Sequence, residues 1–200
     1  MKTLSVHICD DHPILTMSLV ELLSKQIFVS SLSYSNDHKT LIEKLRDTKV
    51  DLLVLDVSLN GESSFNYIDE LKKEFSDLSI LIYTNYETLD VYLESRKHNL
   101  NGFIGKSKSV DEFLNGCKLI LETGEYWGSY QIPKKLYAEI TPREAEVLNF
   151  IMKGNTNQQI SEKLSISILT VQTHRKNIKA KLDVESVNDL ISLTNQFRFL

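Results

Sequence analysis

Five residues of this chain combine types that can do chemistry with positions that let them do it together. Aspartates stand at 10, 11 and 56, a threonine at 84 and a lysine at 106. Each closes or follows a short apolar run: LSVHIC before Asp10, LLVL before Asp56, ILIY before Thr84 and GFIG before Lys106. Three acids converging at one edge of a sheet repel each other unless a cation sits among them. Hard carboxylate oxygens select Mg2+, which keeps several waters and accepts a phosphoryl oxygen. Lys106 adds a compact positive charge and Thr84 a short hydroxyl donor. A carboxylate nucleophile, a divalent metal and a lysine are the parts needed to move a phosphoryl group onto an aspartate. Singly, none of these residues is diagnostic. Asp10 or Asp11 can cap the helix that contains Pro13, and Asp56 can line a loop. Their joint placement at successive strand ends carries the reading.

That placement requires a particular scaffold. Apolar runs at 4–9, 27–32, 52–57, 80–83 and 102–104 are short and rich in Val, Ile and Leu, as strands buried on both faces should be. Between them lie stretches of helical period. Ile14, Met17, Leu19, Leu22 and Leu23 form one apolar stripe. Leu41, Ile42 and Leu45 form the next, and Phe65, Ile68 and Leu71 a third. Strand and helix alternating five times predict a doubly wound, five-stranded parallel α/β sheet over 1–122. In such a sheet ligands bind outside the carboxyl ends of the strands, where these five residues fall.

The alternation breaks at Gly124, and 123–138 reads as a linker containing Pro133, Lys134 and Lys135. Residues 139–200 read as a smaller all-α domain. Thr141-Pro142-Arg143-Glu144 is a capping box with proline at the first helical position. Gly154 can end that helix, Thr156 with Gln159 starts a second, and Ser167 starts a third reaching about Leu182. Only Ser165-Ile166-Ser167 separates the last two, which is the spacing of a helix-turn-helix. On the third helix Val171, Ile178 and Leu182 share one face, and Gln172, Thr173, Lys176 and Lys179 gather on another. Gln172 and Thr173 can read base edges. Arg175, Lys176 and Lys179, with Lys181, can neutralise phosphates. Asn157, Gln158 and Thr170 stand near helix starts, where backbone phosphates dock. His174 fits packing beside the core better than base contact. A last helix from Ser186, with Val187, Leu190, Ile191 and Leu193, is a candidate for pairing two copies.

The net charge of −4 excludes a chain that is basic throughout, so nucleic-acid binding has to rest on the local basic group. No apolar run is long enough to span a membrane, and the acids at 10 and 11 come too early for a signal peptide, so a cytoplasmic protein is expected. Two cysteines, Cys9 and Cys117, both in apolar surroundings, suit buried free thiols rather than a disulfide or metal site.

The motifs ICDDHP, LLVLDVSLNG, ILIYT and GFIGKS make residues 1–122 resemble the flavodoxin-like receiver domain of two-component response regulators. The run TPREAEVLNFIMKGNTNQQISEKLSISILTVQTHRKNIKAKL resembles the LuxR-type helix-turn-helix of the NarL/FixJ regulators. The resemblance implies a DNA-binding transcriptional regulator rather than an enzyme. It implies that Asp56 accepts phosphate from a sensor histidine kinase. It further implies Mg2+ held by Asp11, Asp56 and the backbone carbonyl of Ser58, with Asp10 acting through a water. Lys106 would pair with the phosphoryl group, Thr84 would turn to bond it, and Phe103 would occupy an aromatic switch position. The double-stranded DNA would be met by Thr170, Gln172, Thr173, Arg175, Lys176 and Lys179, in a homodimer. The sequence departs from the receiver pattern at Asn60, where proline is usual, at Ser64, where glycine is usual, and at Asn85. Tyr86 is bulky enough to shield a phosphoryl group. The departures leave open a receiver that works as a phosphate-independent interaction platform. A phosphatase built on Asp56 would need a second acid two residues on, where Ser58 stands. A sigma-factor-like module is disfavoured by the N-terminal half.

Overall fold

The computed structural model describes residues 3–128 and 139–186, together with Asp189. Its contacts divide the chain into two compact units. One comprises Met1–Glu87 with His98–Gly128, the other Thr88–Lys97 with Ser129–Leu200.

In the first unit, β1 (Leu4–Cys9), β2 (Val29–Ser35), β3 (Leu52–Leu55), β6 (Ser79–Thr84) and β7 (Gly102–Gly105) form one parallel sheet in the order β2-β1-β3-β6-β7. The connections are α1 (Pro13–Ser24), α2 (His38–Asp47), α3 (Phe65–Glu74) and, after β7, α5 (Val110–Thr123). The order runs one way from β1 to β2 and the other way from β1 to β3. The switch point therefore lies between the ends of β1 and β3, which lead into Asp10 and Asp56.

Period-two alternation decides which residues meet which layer. Val6, Ile8, Leu52, Val54, Leu81 and Ile104 pack with Leu19 and Leu23 of α1 and Phe113, Cys117 and Ile120 of α5. Their neighbours Leu53, Leu55, Ile80, Ile82 and Phe103 are equally buried, and α2 and α3 contribute buried Leu41, Leu45, Ile68 and Leu71. Each such side chain stabilises the fold by about 1.5–3 kcal/mol. β2 differs from the expectation of burial on both faces. It is the sheet edge, and Ser30, Ser31 and Tyr34 are exposed. The α1 stripe is also narrower than its period suggested. Leu19 and Leu23 are buried, but Ile14 is 86% and Met17 54% exposed. Both cysteines are buried and free, and burial pushes each thiol up to about 12.

A two-stranded hairpin that the alternation did not announce, β4 (Ser58–Leu59) with β5 (Glu62–Ser63), sits just after β3. Its two-residue turn is Asn60-Gly61, with φ of 53° and 84°. Two successive positive φ values define the turn type for which Asn-Gly is the preferred pair. The sheet is extended past β7 at Tyr126, whose N–H donates to the Asn101 carbonyl (2.8 Å) and whose carbonyl accepts from Phe103 (3.1 Å).

The second unit contains α4 (Leu89–Lys97), α6 (Pro142–Met152), α7 (Asn157–Leu164) and α8 (Ile168–Leu182). In it the Leu89 N–H donates to Asn149 Oδ1 (3.1 Å), and Asn149 Nδ2 donates to Asp90. Both capping boxes form as the residue types dictate, Thr141 with Glu144 and Thr156 with Gln159, and Ser167 Oγ accepts from the Thr170 N–H at 3.0 Å. Ser165 takes φ 52° and ends α7, which turns the chain in three residues into α8. The expected last helix lies almost wholly outside the described residues, as do Val187, Leu190, Ile191 and Leu193.

Candidate functional site

β1, β3, β6 and β7 deliver Asp10 and Asp11, Asp56, Thr84 and Lys106 to one edge of the sheet. The backbone fixes the edge before the side chains do. The Asp10 N–H donates to the Ser35 carbonyl (3.2 Å), the Asp56 N–H to the Cys9 carbonyl (3.0 Å) and the Lys106 N–H to the Thr84 carbonyl (2.8 Å). Asp10 is 2% and Asp56 5% exposed. Lys106 Nζ lies 2.6 Å from both Asp10 Oδ2 and Asp56 Oδ2, so one cation holds two buried carboxylates together. Burial works to lower the Lys106 pKa. The hydrogen bonds and charges of Asp10 and Asp56 outweigh it, so the ammonium is held above its ordinary value.

The site is still short of positive charge. Asp56 Oδ1 is buried with no hydrogen-bond partner among the described residues. Asp11 Oδ1 forms no hydrogen bond either, although His12 Nδ1 lies 3.0 Å away. Ligand atoms of Asp10, Asp11, His12 and Asp56 all fall within 4.8 Å of one another. Open carboxylate oxygens of this kind fit a hard divalent cation such as Mg2+. Ser58, two residues beyond Asp56, opens β4 and is half-buried.

Thr84 is buried at the end of β6, and its Oγ1 accepts from the Tyr86 N–H at 3.2 Å. The hydroxyl proton stays available for an incoming acceptor. Tyr86 itself is half exposed. Phe103 lies fully buried on β7, three residues before Lys106.

Two of the three positions that depart from the receiver pattern, Asn60 and Ser64, support the acidic residues. Asn60 in the hairpin turn donates its backbone N–H to Asp11 Oδ2 (2.8 Å) and its Nδ2 to the Asn36 carbonyl (3.2 Å). Proline has no such N–H and cannot take a positive φ. Buried Ser64 donates its hydroxyl to the Asp56 carbonyl at 2.6 Å, and its N–H meets the Val57 carbonyl at 2.7 Å. These second supports of the acidic residues were missed in the sequence, although Asn60-Gly61 is a strong hairpin signal.

In the second unit α8 presents two opposed faces. Val171, Ile178 and Leu182 are buried, as their spacing implied. Thr170, Gln172, Thr173 and Lys176 are exposed, and Arg175 and Lys179 are half-buried. The Thr173 hydroxyl donates back to the Leu169 carbonyl (2.9 Å), which leaves its oxygen as an acceptor. Lys179 Nζ donates to the Glu185 carbonyl at 3.1 Å. Lys181 leaves the basic group, because its Nζ is 2.6 Å from Oε2 of buried Glu144. Gln158 is engaged by Glu162 at 2.7 Å, and His174 is half-buried. Leu169, which the polar reading of this helix passed over, is 72% exposed.

Comparison with known proteins agrees with both halves. Residues 6–117 match the response regulator receiver domain, and residues 138–194 match the bacterial regulatory proteins of the luxR family. The chain is 30% identical to the Fimbriae Z protein of Salmonella typhimurium, with all of both chains aligned. It is 26% identical to the response regulator protein VraR of Staphylococcus saprophyticus over 88% of each. Among solved structures it is similar to RcsB of Salmonella enterica serovar Typhimurium, bound to a promoter in the presence of phosphomimetic BeF3−. That match has a TM-score of 0.65 at 23% identity, over 96% of this chain and 98% of the other. An RcsB–DNA complex gives a TM-score of 0.65 at 23% identity, over 98% and 100%.

Proposed function

Since this chain belongs to the bacterial response regulators that join a receiver domain to a luxR-type DNA-binding domain, we propose that Asp56 is its phosphorylation switch. The observation that carries this is the geometry around Asp56. One carboxylate oxygen is held by Lys106 at 2.6 Å and the other is buried and open. The donor is the phosphohistidine of a sensor histidine kinase. The Asp56 oxygen attacks phosphorus as the bond to the donor imidazole nitrogen breaks, and that nitrogen keeps the electron pair and takes a proton from solvent. Bound Mg2+ supplies charge neutralisation for the phosphoryl oxygens. Asp11, Asp56 and the Ser58 carbonyl would hold it, with Asp10 acting through water.

Phosphorylation replaces the single negative charge of the Asp56 carboxylate with the roughly two of an acyl phosphate, a net gain of about one at neutral pH, and adds strong acceptor oxygens. Lys106 then moves from the two carboxylates to the phosphoryl oxygens, Thr84 donates its free hydroxyl proton, and Phe103 follows as the aromatic switch. Two phosphorylated copies pair and bind double-stranded DNA, with α8 in the major groove. Gln172 and Thr173 face bases, and Thr170, Arg175, Lys176 and Lys179 face phosphates. We take the receiver as 1–122, the linker as 123–138 and the DNA-binding domain as 139–200. The protein acts as a cytoplasmic regulator rather than as an enzyme. No helix among the described residues is long and apolar enough to cross a membrane. The phosphate-independent platform is the weaker reading, because it gives no role to the open Asp56 oxygen beside Lys106. Intact-mass measurement after treatment with a small phosphodonor and Mg2+ tests the switch residue. One phosphoryl group on the wild type and none on Asp56→Asn is expected. Equal labelling of both would overturn it.

A further inference from the structure

Leu169 is a large apolar side chain left 72% exposed in the first turn of α8. At 100° per residue it shares one stripe with Gln172, Thr173 and Lys176, at i, i+3, i+4 and i+7. Val171, Ile178 and Leu182 lie on the far side of the helix and form its buried face. The packing of α8 therefore never covers Leu169. It stands at the N-terminal end of the surface that bears the polar readers.

The surroundings decide what does cover it. The helix ILTVQTHRKNIKAKL contains no acid; Lys176 stands on the Leu169 stripe, Arg175 and Lys179 lie to one side of it, and Lys181 is taken up by Glu144. A face of that charge fits a polyanion better than a second protein. The first turn of such a helix reaches base edges. In the major groove the apolar feature that distinguishes one base from the others is the C5-methyl group of thymine. We infer that Leu169 is a specificity-determining residue that packs on a thymine methyl group in the major groove, beside the base contacts of Gln172 and Thr173. This rests on the DNA-binding reading above.

The test first selects a preferred duplex from a random oligonucleotide pool with phosphorylated wild-type protein. Each thymine of the selected site is then replaced singly by deoxyuridine, which removes only the methyl group. Affinities are measured for wild type and for Leu169→Ala. At one thymine per half-site the wild type should lose about fourfold in affinity, the worth of one buried carbon group. Leu169→Ala should lose less than about twofold at that position and behave as wild type elsewhere. Leu169 is exposed, so unchanged thermal unfolding of the variant is expected and checks its integrity. Equal deoxyuridine sensitivity of both proteins at every thymine would overturn the inference. So would a variant whose only defect is in self-association, since Leu169 would then contact a second copy. If the wild type selects no sequence at all, the DNA-binding reading fails instead, which is a distinguishable result.

Discussion

His7 offers a quantitative test of how the strand bearing the acidic pair is held. It lies in the middle of β1, fully buried, on the face opposite Val6 and Ile8. Its ring nitrogens meet two hydroxyls of β2, Ser33 Oγ at 2.7 Å and Ser35 Oγ at 2.9 Å. Burial, helped by the positive charge of Lys44, lowers the imidazole from 6.5 to about 4. The folded state thus keeps His7 neutral where the unfolded chain has begun to bind a proton. The stability this gives is present above pH 6.5 and is lost as pH falls from about 6.5 toward 4. The full shift is worth about 3 kcal/mol, and about 2 kcal/mol is gone by pH 5. The assay is urea unfolding followed by the fluorescence of Trp127, the one tryptophan of the chain and part of the first compact unit. Wild type and His7→Gln are compared at pH 7.5, 6 and 5. His38, whose pKa burial also lowers, is common to both proteins and cancels. Wild type should lose about 2 kcal/mol more than His7→Gln between pH 7.5 and pH 5. Parallel pH dependences would refute the assignment of a neutral, buried His7.

Other outcomes follow from the same contacts. Lys106→Ala leaves Asp10 and Asp56 buried without their cation, so it should destabilise the first unit by about 3–5 kcal/mol, with part recovered in millimolar Mg2+, as read from urea midpoints. Asn60→Pro removes the N–H to Asp11 and cannot adopt φ 53°. It should cost about 1–3 kcal/mol and weaken Mg2+ binding measured by calorimetry, whereas Asn60→Gly, which keeps both the N–H and the φ and gives up only the exposed bond to the Asn36 carbonyl, should lose under about 1 kcal/mol and bind Mg2+ as wild type does. Ser167→Ala removes the cap of α8 and should cost about 1 kcal/mol in the second unit, followed by far-UV circular dichroism, with weaker DNA binding as the helix start frays.

The sheet and the acidic edge were legible because they rest on short-range rules. Apolar runs of strand length end in Asp10, Asp56 and Thr84, and a doubly wound sheet brings such ends together wherever they lie in sequence. The caps at Thr141, Thr156 and Ser167 were legible for the same reason, since a cap is settled within four residues. What escaped depends on neighbours far along the chain. A stripe of helical period shows that Ile14 and Met17 share a helix with Leu19. It does not show that the sheet covers only the Leu19 and Leu23 side. β2 reads like a buried strand until the order of the sheet puts it at an edge. Lys181 looks like one more cation for DNA until a buried carboxylate 37 positions earlier in the chain engages it. Asn60 and Ser64 read as departures from a pattern, and only their bonds to Asp11 and Asp56 show them to be supports. Leu169 was passed over because an apolar residue on a polar face matches neither a core nor a charge argument.

We propose that a phosphoryl group on Asp56 controls DNA binding. This is tested most directly by fluorescence anisotropy on a duplex selected from a random pool. Wild type is measured with and without a small phosphodonor and Mg2+, alongside Asp56→Asn, with sedimentation to follow pairing. Tighter, dimeric binding by phosphorylated wild type alone is the expected result, and equal binding by wild type and Asp56→Asn under all conditions would rule out Asp56 as the switch.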